Sequence, residues 1–369
     1  MMCQKGKTII IGTSSLGYPV SDYYYSLAKS FVKNGYNIIF ILDGKLNKLP
    51  PDITGITFYS WPNKRPTKIK DFIFAFKLFI KEKPILCLSN FGSTNVLIIC
   101  SWLTRIKTRV NYVHTTISQL KIDSNKKYFL SAFLFFRKKI IYSLCTNLFT
   151  NSTGNKNDIC ENYKIKKKKI LVFPLLLKKS SLSYLNYKSR NKELLIVGRL
   201  HPSKGHESLI RQFKICLDKG LDLKLRIVGS GNLELLLKKL VFELNIEKNV
   251  VFHKEISNKL INYEFNQSLI HISSSIEEAY GLVNIESLRE GTPIISSKTF
   301  GAKDILKEGF NGEYFDHNNE FSLFYSISKI LMNWDRYSSN SIISFNEQYL
   351  VDINIDLHKN KILNLINNN

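Results

Sequence analysis

Short unbroken apolar runs alternate along this chain with longer stretches in which apolar residues recur at helical spacing. TIIIGT at Thr8–Thr13 is such a run. It is too continuous for a strand with one wet face, and it reads as a parallel strand buried on both sides. A loop, SSLGYPVSD, follows, and then a helix from about Tyr23 to Lys33 that Asn34-Gly35 closes. YNIIFIL starts a second strand. ITFYSW, a helix near Lys70–Lys83, ILCLSN, a helix near Ser93–Arg105 and RVNYVHTT continue the alternation. A long helical stretch then leads to TNLFTNS and to ILVFP at Ile170–Pro174.

Between Leu175 and Lys192 lies LLLKKSSLSYLNYKSRNK, whose Ser-, Lys- and Asn-rich part reads as a linker. The alternation restarts beyond it. ELLIVGRL, a helix at about Ser203–Leu217, LKLRIVG, a helix at Asn232–Leu244, NVVFHKEI, SLIHISS, a helix from about Leu282 and TPIISS follow in order. From about Phe321 the pattern is helical. Strand–helix alternation twice over predicts an α/β protein with two tandem Rossmann-like, doubly wound domains. The expected boundaries are 1–178 and 179–345, with a helical segment 346–369 that packs back on the first domain.

Composition sharpens this division. Residues 1–180 hold 30 Lys and Arg against 8 Asp and Glu, while the remaining 189 hold 23 against 22. A strongly basic half beside a neutral half suggests that the first domain meets something anionic, although Lys as the default solvated residue would give the same count. No run reaches the ~18 apolar residues of a spanning helix, and the start MMCQKGKTIII lacks a signal-peptide pattern. A cytoplasmic protein is expected, or one peripheral on the inner face of the cytoplasmic membrane. The six cysteines show no C-x-x-C spacing, which argues against a zinc knuckle, a redox motif or a disulfide scaffold.

The neutral half carries the chemistry. In IVGRLHPSKG the strand ends at Gly198, so Arg199 and Lys204 emerge at the carboxyl edge of a parallel strand, where open α/β sheets bind ligands. Two cations beside a helix start make a diphosphate clamp, and Gly205 would let backbone approach closely. IVGSGNLE places Gly229 in a strand-to-helix turn that could cradle phosphate, though tight-turn geometry alone explains such glycines. In SSSIEEAYGLVNIESLREGTPII, Gly281 begins the helix that carries Glu286. The N–H groups of Gly281, Leu282 and Val283 would face a pyrophosphate at the positive end of the helix dipole. Glu286, one turn on, is placed to accept from ribose hydroxyls, and Glu278 from those of a sugar.

GRLHPSKG, IVGSG, EAYGLVNIE, GTPII and GFNGEYF, in that order across about Glu193–Phe315, resemble family 4 of the retaining glycosyltransferases. That resemblance implies the GT-B fold, two Rossmann-like domains facing across a cleft. It implies that Arg199 and Lys204 bind the donor diphosphate, that Glu286 holds the ribose and that Glu278 sits at the donor sugar. Ala279 stands where the family usually has glycine. In the first half the Gly12–Gly17 loop replaces the family's Gly-Gly pair, and His114 resembles a histidine on the acceptor side of the cleft.

The implied reaction moves a sugar from a UDP- or GDP-sugar to a glycan or lipid-linked acceptor with retention, in assembly of bacterial surface polysaccharide such as O-antigen, capsule or lipopolysaccharide. The chain has no D-x-D pair, so no bound cofactor and no metal are expected; Arg199, Lys204 and the helix start would meet the leaving charge. The acceptor should lie against the basic half. Lys64–Lys83 and Asn125–Cys145 mix cations with Phe-rich turns and could touch an anionic membrane surface, or simply pack on the sheet. Nucleic-acid binding would explain the charge and not the ordered motifs, and none is expected. A sugar-nucleotide epimerase of the same fold, or a silent nucleotide-sugar-binding subunit, would share the donor site.

Overall fold

A computed structural model describes residues 7–15, 17–43, 53–118 and 128–368, with the side chains of 128–131 and 258–259 left aside. Among them are two all-parallel sheets. The first comprises β1 (Thr8–Thr13), β2 (Asn37–Leu42), β3 (Ile56–Ser60), β4 (Leu86–Asn90), β5 (Thr108–Val113), β6 (Asn147–Thr150) and β7 (Ile170–Val172), in the order β3-β2-β1-β4-β5-β6-β7. The second comprises β8 (Asn191–Val197), β9 (Lys224–Val228), β10 (Val250–His253), β11 (Ser268–Ser273), β12 (Ile294–Ser296) and β13 (Gly312–Tyr314), in the order β10-β9-β8-β11-β12-β13. Both are Rossmann-like, and the α/β architecture matches the alternation of the sequence.

The period of two along each strand explains why the runs are continuous. Ile9 and Ile11 of β1 join a core with Tyr24, Leu27 and Phe31 of the helix Pro19–Val32. Ile10, between them, faces the other way, towards Ala75, Leu78 and Phe79 of the helix Ile69–Glu82 and Val96, Leu97 and Cys100 of Thr94–Leu103. In β8, Leu194 and Ile196 pack on Leu209, Ile210 and Phe213 of the helix His206–Asp218, while Leu195 faces Phe265 on the opposite side. Cys87, Cys100, Cys145 and Cys216 are free, buried core thiols.

Two expected boundaries move and one helix is added. The first helix begins at Pro19 rather than Tyr23, because proline suits the first helical position and Ser21 Oγ accepts from the Tyr18 N–H. Ser203 lies in a one-turn 3-10 segment, Pro202–Lys204, and the α-helix starts only after Gly205, at His206. A helix at Asn258–Gln267 stands where none was expected.

The chain crosses between the sheets twice. Leu175, Leu176 and Leu177 are buried beside the final helices. The Leu177 N–H donates to the Tyr349 carbonyl at 2.8 Å, and the Val351 N–H donates back to the Leu177 carbonyl at 3.0 Å. The last helix, Val351–Asn367, then lies on Pro19–Val32, where Tyr23 Oη and His358 Nδ1 are 2.9 Å apart.

Candidate active site

The loop after β8 is locked to the loop after β11 by backbone groups. The Ile276 N–H donates to the Ser203 carbonyl at 2.8 Å, and Ser274 Oγ donates to the Lys204 carbonyl at 2.7 Å. Gly205 has φ +64°, and a Cβ there would stand 2.1 Å from the Ser274 carbonyl oxygen. The close approach expected of Gly205 is thus made by another loop of the protein. These contacts aim Lys204 at Glu278, and its Nζ donates to Glu278 Oε2. Ser275 Oγ lies 3.4 Å from the same oxygen.

Around this ion pair sit Gly198, His206, Ser273 and Val283, enclosing a crevice with about 10 Å³ free. That is the room of roughly one water molecule. A donor sugar seated there would have to separate Lys204 from Glu278, and both groups could then turn to the ligand. Arg199 is exposed on the same loop.

Gly281 caps the helix Leu282–Arg289 in the left-handed region, with φ +85°. Leu282 and Val283 form its first turn, and both are half-buried. Glu286 lies on the next turn and is 7 % exposed. It does not line the crevice. Burial pushes its carboxyl up to about 7, with Arg289 opposing and Glu290 adding to the shift.

Gly229, in the strand-to-helix turn where its motif suggests a phosphate cradle, also makes a close packing contact. Its φ is +149°, and a Cβ there would lie 1.9 Å from the Gly198 carbonyl oxygen. The Gly198 N–H donates to the Val228 carbonyl and the Leu200 N–H to that of Ser230, each at 3.0 Å. Gly229 therefore packs the β9 loop onto the β8 loop.

In the first domain Gly12, the penultimate residue of β1, packs against the helix Thr94–Leu103, where a Cβ would meet Leu97 Cδ1 at 2.3 Å. Gly17 has φ +93° and open space around it. His114 follows β5 and is stacked between Phe91, with centroids 4.3 Å apart, and Tyr112, at 4.5 Å. Its Nε2 is buried without a hydrogen-bond partner among the described residues, and burial lowers its pKa to about 3. It lines a cleft of about 200 Å³ with Thr94, Asn95, Asn111, Arg137 and Lys138.

The two domains meet between these groups. Asn155 Nδ2 donates to the Val113 carbonyl, next to His114, at 3.0 Å, and the Asn155 N–H donates to Ser152 Oγ at 3.1 Å. Ser152 Oγ in turn donates to the Ala279 carbonyl, next to Glu278, at 2.6 Å. Beside this path Gly154 fits against Phe300, where a Cβ would be 2.4 Å from the Phe300 Cβ. The carboxyl ends of β5 and β6 thus face the loop that follows β11.

Residues 183–344 match the family Glycosyl transferases group 1. This stretch contains Gly198, Arg199, Lys204, Gly229, Glu278 and Glu286, and covers the second sheet with most of its helices. The chain is similar to an uncharacterized glycosyltransferase of Methanocaldococcus jannaschii, 30 % identical over 143 residues, covering 39 % of this chain and 36 % of that one. It is similar also to the capsular polysaccharide biosynthesis glycosyltransferase CapM of Staphylococcus aureus, 27 % identical over 261 residues and 66 % of each chain. The first of these matches thus spans about a third of its relative's length. Across almost the whole fold, the chain superposes on HepE from Anabaena in complex with UDP and glucose. The TM-score is 0.73 at 15 % identity, covering 97 % of this chain and 99 % of that one.

Three buried polar side chains near the crevice escaped the sequence reading. Both ring nitrogens of His206 are unpartnered among the described residues, and the buried Asn284 amide lies against the buried ring of His271. The signal was present in one case, because Asn284 interrupts an apolar stretch, LVNIE, where a helix faces the sheet.

Proposed function

We propose that the protein is a glycosyltransferase taking a sugar from a UDP- or GDP-sugar and passing it, with retention of configuration, to a glycan or lipid-linked acceptor. The setting we propose is bacterial surface-polysaccharide assembly, with the basic first domain turned to an anionic membrane surface. The observation that carries this reading is the meeting of Lys204 with Glu278 at the carboxyl ends of β8 and β11. It places a cation and a hydroxyl acceptor at one point, beside the start of the helix Leu282–Arg289.

The chemistry follows from those groups. As the bond from sugar to diphosphate breaks, negative charge grows on the leaving oxygen. Arg199, Lys204 and the first-turn N–H groups of Gly281–Val283 meet it in a closed cleft, where fixed donors stabilise a transition state most. These groups supply positive charge without a metal. Glu278 accepts from the sugar hydroxyls and Glu286 from the ribose. His114, across the domain junction, faces the acceptor in its neutral form. The match to the group 1 family supports the reaction class, and the superposition on HepE supports a two-domain cleft for the donor.

Thermal unfolding with UDP, GDP, ADP and CMP tests the reading, on the wild type and on the double variant Arg199→Ala/Lys204→Ala. A nucleotide at about 100 times its Kd stabilises by about 2.7 kcal/mol. A shift with one nucleotide that the double variant loses supports the donor site and identifies the base. No shift with any of the four overturns it.

A further inference from the structure

A cleft of about 660 Å³ lies at the opposite edge of the first sheet from His114. Lys7, Pro84 and Thr108, which lead into β1, β4 and β5, mark this as the amino end of the strands. Its walls are apolar: Phe76 and Ile80 from the helix Ile69–Glu82, Leu103 from the neighbouring helix and Ile366 from the last one. Lys83, Arg105 and Lys107 stand at its rim, all exposed.

The helix Ile69–Glu82 is apolar on two faces. Ala75, Leu78 and Phe79 are spent on the sheet. Ile69, Ile73, Phe76 and Ile80 form a second stripe at spacings of 4, 3 and 4, and Ile69, Ile73 and Ile80 are 72 %, 49 % and 53 % exposed. A surface helix needs one apolar stripe, and a second one left in water marks an interaction surface. Lys70, Lys77 and Lys81 flank it.

The rim has a further peculiarity. Lys83, with φ +45°, and Arg105, with φ +57°, both hold left-handed backbone just past the ends of adjacent helices. Glycine is the ordinary residue there. A cation does suit the carbonyl end of a helix, which accounts for the charge but not for the apolar walls beside it.

We propose that this cleft, with the stripe running into it, is a binding site for anionic phospholipid at a membrane surface. The headgroup phosphate lies against Lys83, Arg105 and Lys107, and the acyl carbons lie against Phe76, Ile80 and Leu103. A lipid offers phosphate and hydrocarbon together, whereas nucleic acid has no aliphatic part for the stripe. The site is an anchor and not the acceptor pocket, because the acceptor must reach the carboxyl ends of the strands. It rests on the membrane setting proposed above and not on the donor-site reading.

Co-sedimentation of the full chain tests it, with vesicles of phosphatidylcholine alone and of an equal mixture with phosphatidylglycerol. The wild type should pellet with the mixed vesicles only. Lys83→Gly/Arg105→Gly removes two charges while supplying the residue that this backbone favours, so the fold should be retained, and its Tm checks that. Its partition should fall at least tenfold, on the order expected for two cations near an anionic surface. Ile73→Ser/Ile80→Ser should lose binding similarly. Failure of the wild type to pellet, equal pelleting with neutral vesicles, or unchanged binding in both variants overturns the assignment. Nucleotide-dependent unfolding of the same variants should be unchanged, so this outcome and that of the donor site are read separately.

Discussion

Lys204 and Glu278, seventy-four residues apart in the chain, meet as an ion pair with Lys204 Nζ donating to Glu278 Oε2. Their side chains are 17 % and 14 % exposed. The pair is a structural contact and, in the function proposed, part of the donor site, so removing either member should have two effects.

Lys204→Ala should slow turnover by two to three orders of magnitude, about 2.7–4 kcal/mol, the loss typical of one fixed donor to a developing anion. It should also lower the Tm, because Glu278 is left largely buried beside no cation. The double variant Lys204→Ala/Glu278→Gln separates the effects. Its Tm should recover towards the wild type while turnover stays low. Near-normal turnover in the single variant, by steady-state assay with the sugar nucleotide, would sink the assignment.

Stability should fall as pH drops from about 6.5 towards 4. Burial holds His206, His271 and His358 down to about 4 and His114 to about 3. The unfolded chain binds those protons first, so each histidine's contribution is complete above its unfolded pKa and is lost below it, by at most about 1.4 kcal/mol per pH unit. Glu286 acts in the opposite sense. Its carboxyl, raised to about 7, favours the folded state at low pH and loses that advantage as pH rises through 7. Denaturant unfolding from pH 4.5 to 8 should therefore show a net acid loss, and Glu286→Gln should gain stability over the wild type only at the alkaline end. A flat profile would contradict both assignments.

Gly154→Ala should impair turnover while leaving nucleotide binding intact. Its Cβ would collide with that of Phe300 across the domain junction. Relief requires the domains to part, which stretches the bond from Ser152 Oγ to the Ala279 carbonyl. Turnover measured beside the nucleotide-induced Tm shift distinguishes this from a collapsed donor site, since only the former should fall. Equal loss of both would place the damage inside the second domain.

The strands were legible because burial on both faces leaves an uninterrupted apolar run, as in TIIIGT and NIIFIL. The first helix was cut short because Tyr18-Pro19 resembles a turn, although proline is at home in a first helical turn. Asn258–Gln267 went unseen since its sequence, NKLINYEFNQ, is largely polar, and among its described side chains Phe265 alone is a fully buried apolar one. At the candidate site the residue types were readable and their contacts were not. Nothing in GRLHPSKG says that Ser203 and Lys204 offer their carbonyls to the loop after β11, and that pairing brings Lys204 to Glu278. The packing contact of Gly229 was not legible for the complementary reason, because a close approach in three dimensions and a phosphate cradle ask for the same residue.

The paired crossings at Leu177 and Val351 have a mechanical consequence. Two connecting segments set apart would confine rotation of one domain against the other to the line joining them. Here they lie side by side and are joined by reciprocal backbone bonds, so they behave as one hinge pin. Rotation about the line through that pin leaves both bonds intact, while twisting across it or sliding along it breaks them. If the proposed function holds, opening of the cleft to admit a donor would follow a swing that keeps both bonds, with the close packing of Gly154 on Phe300 limiting its closure.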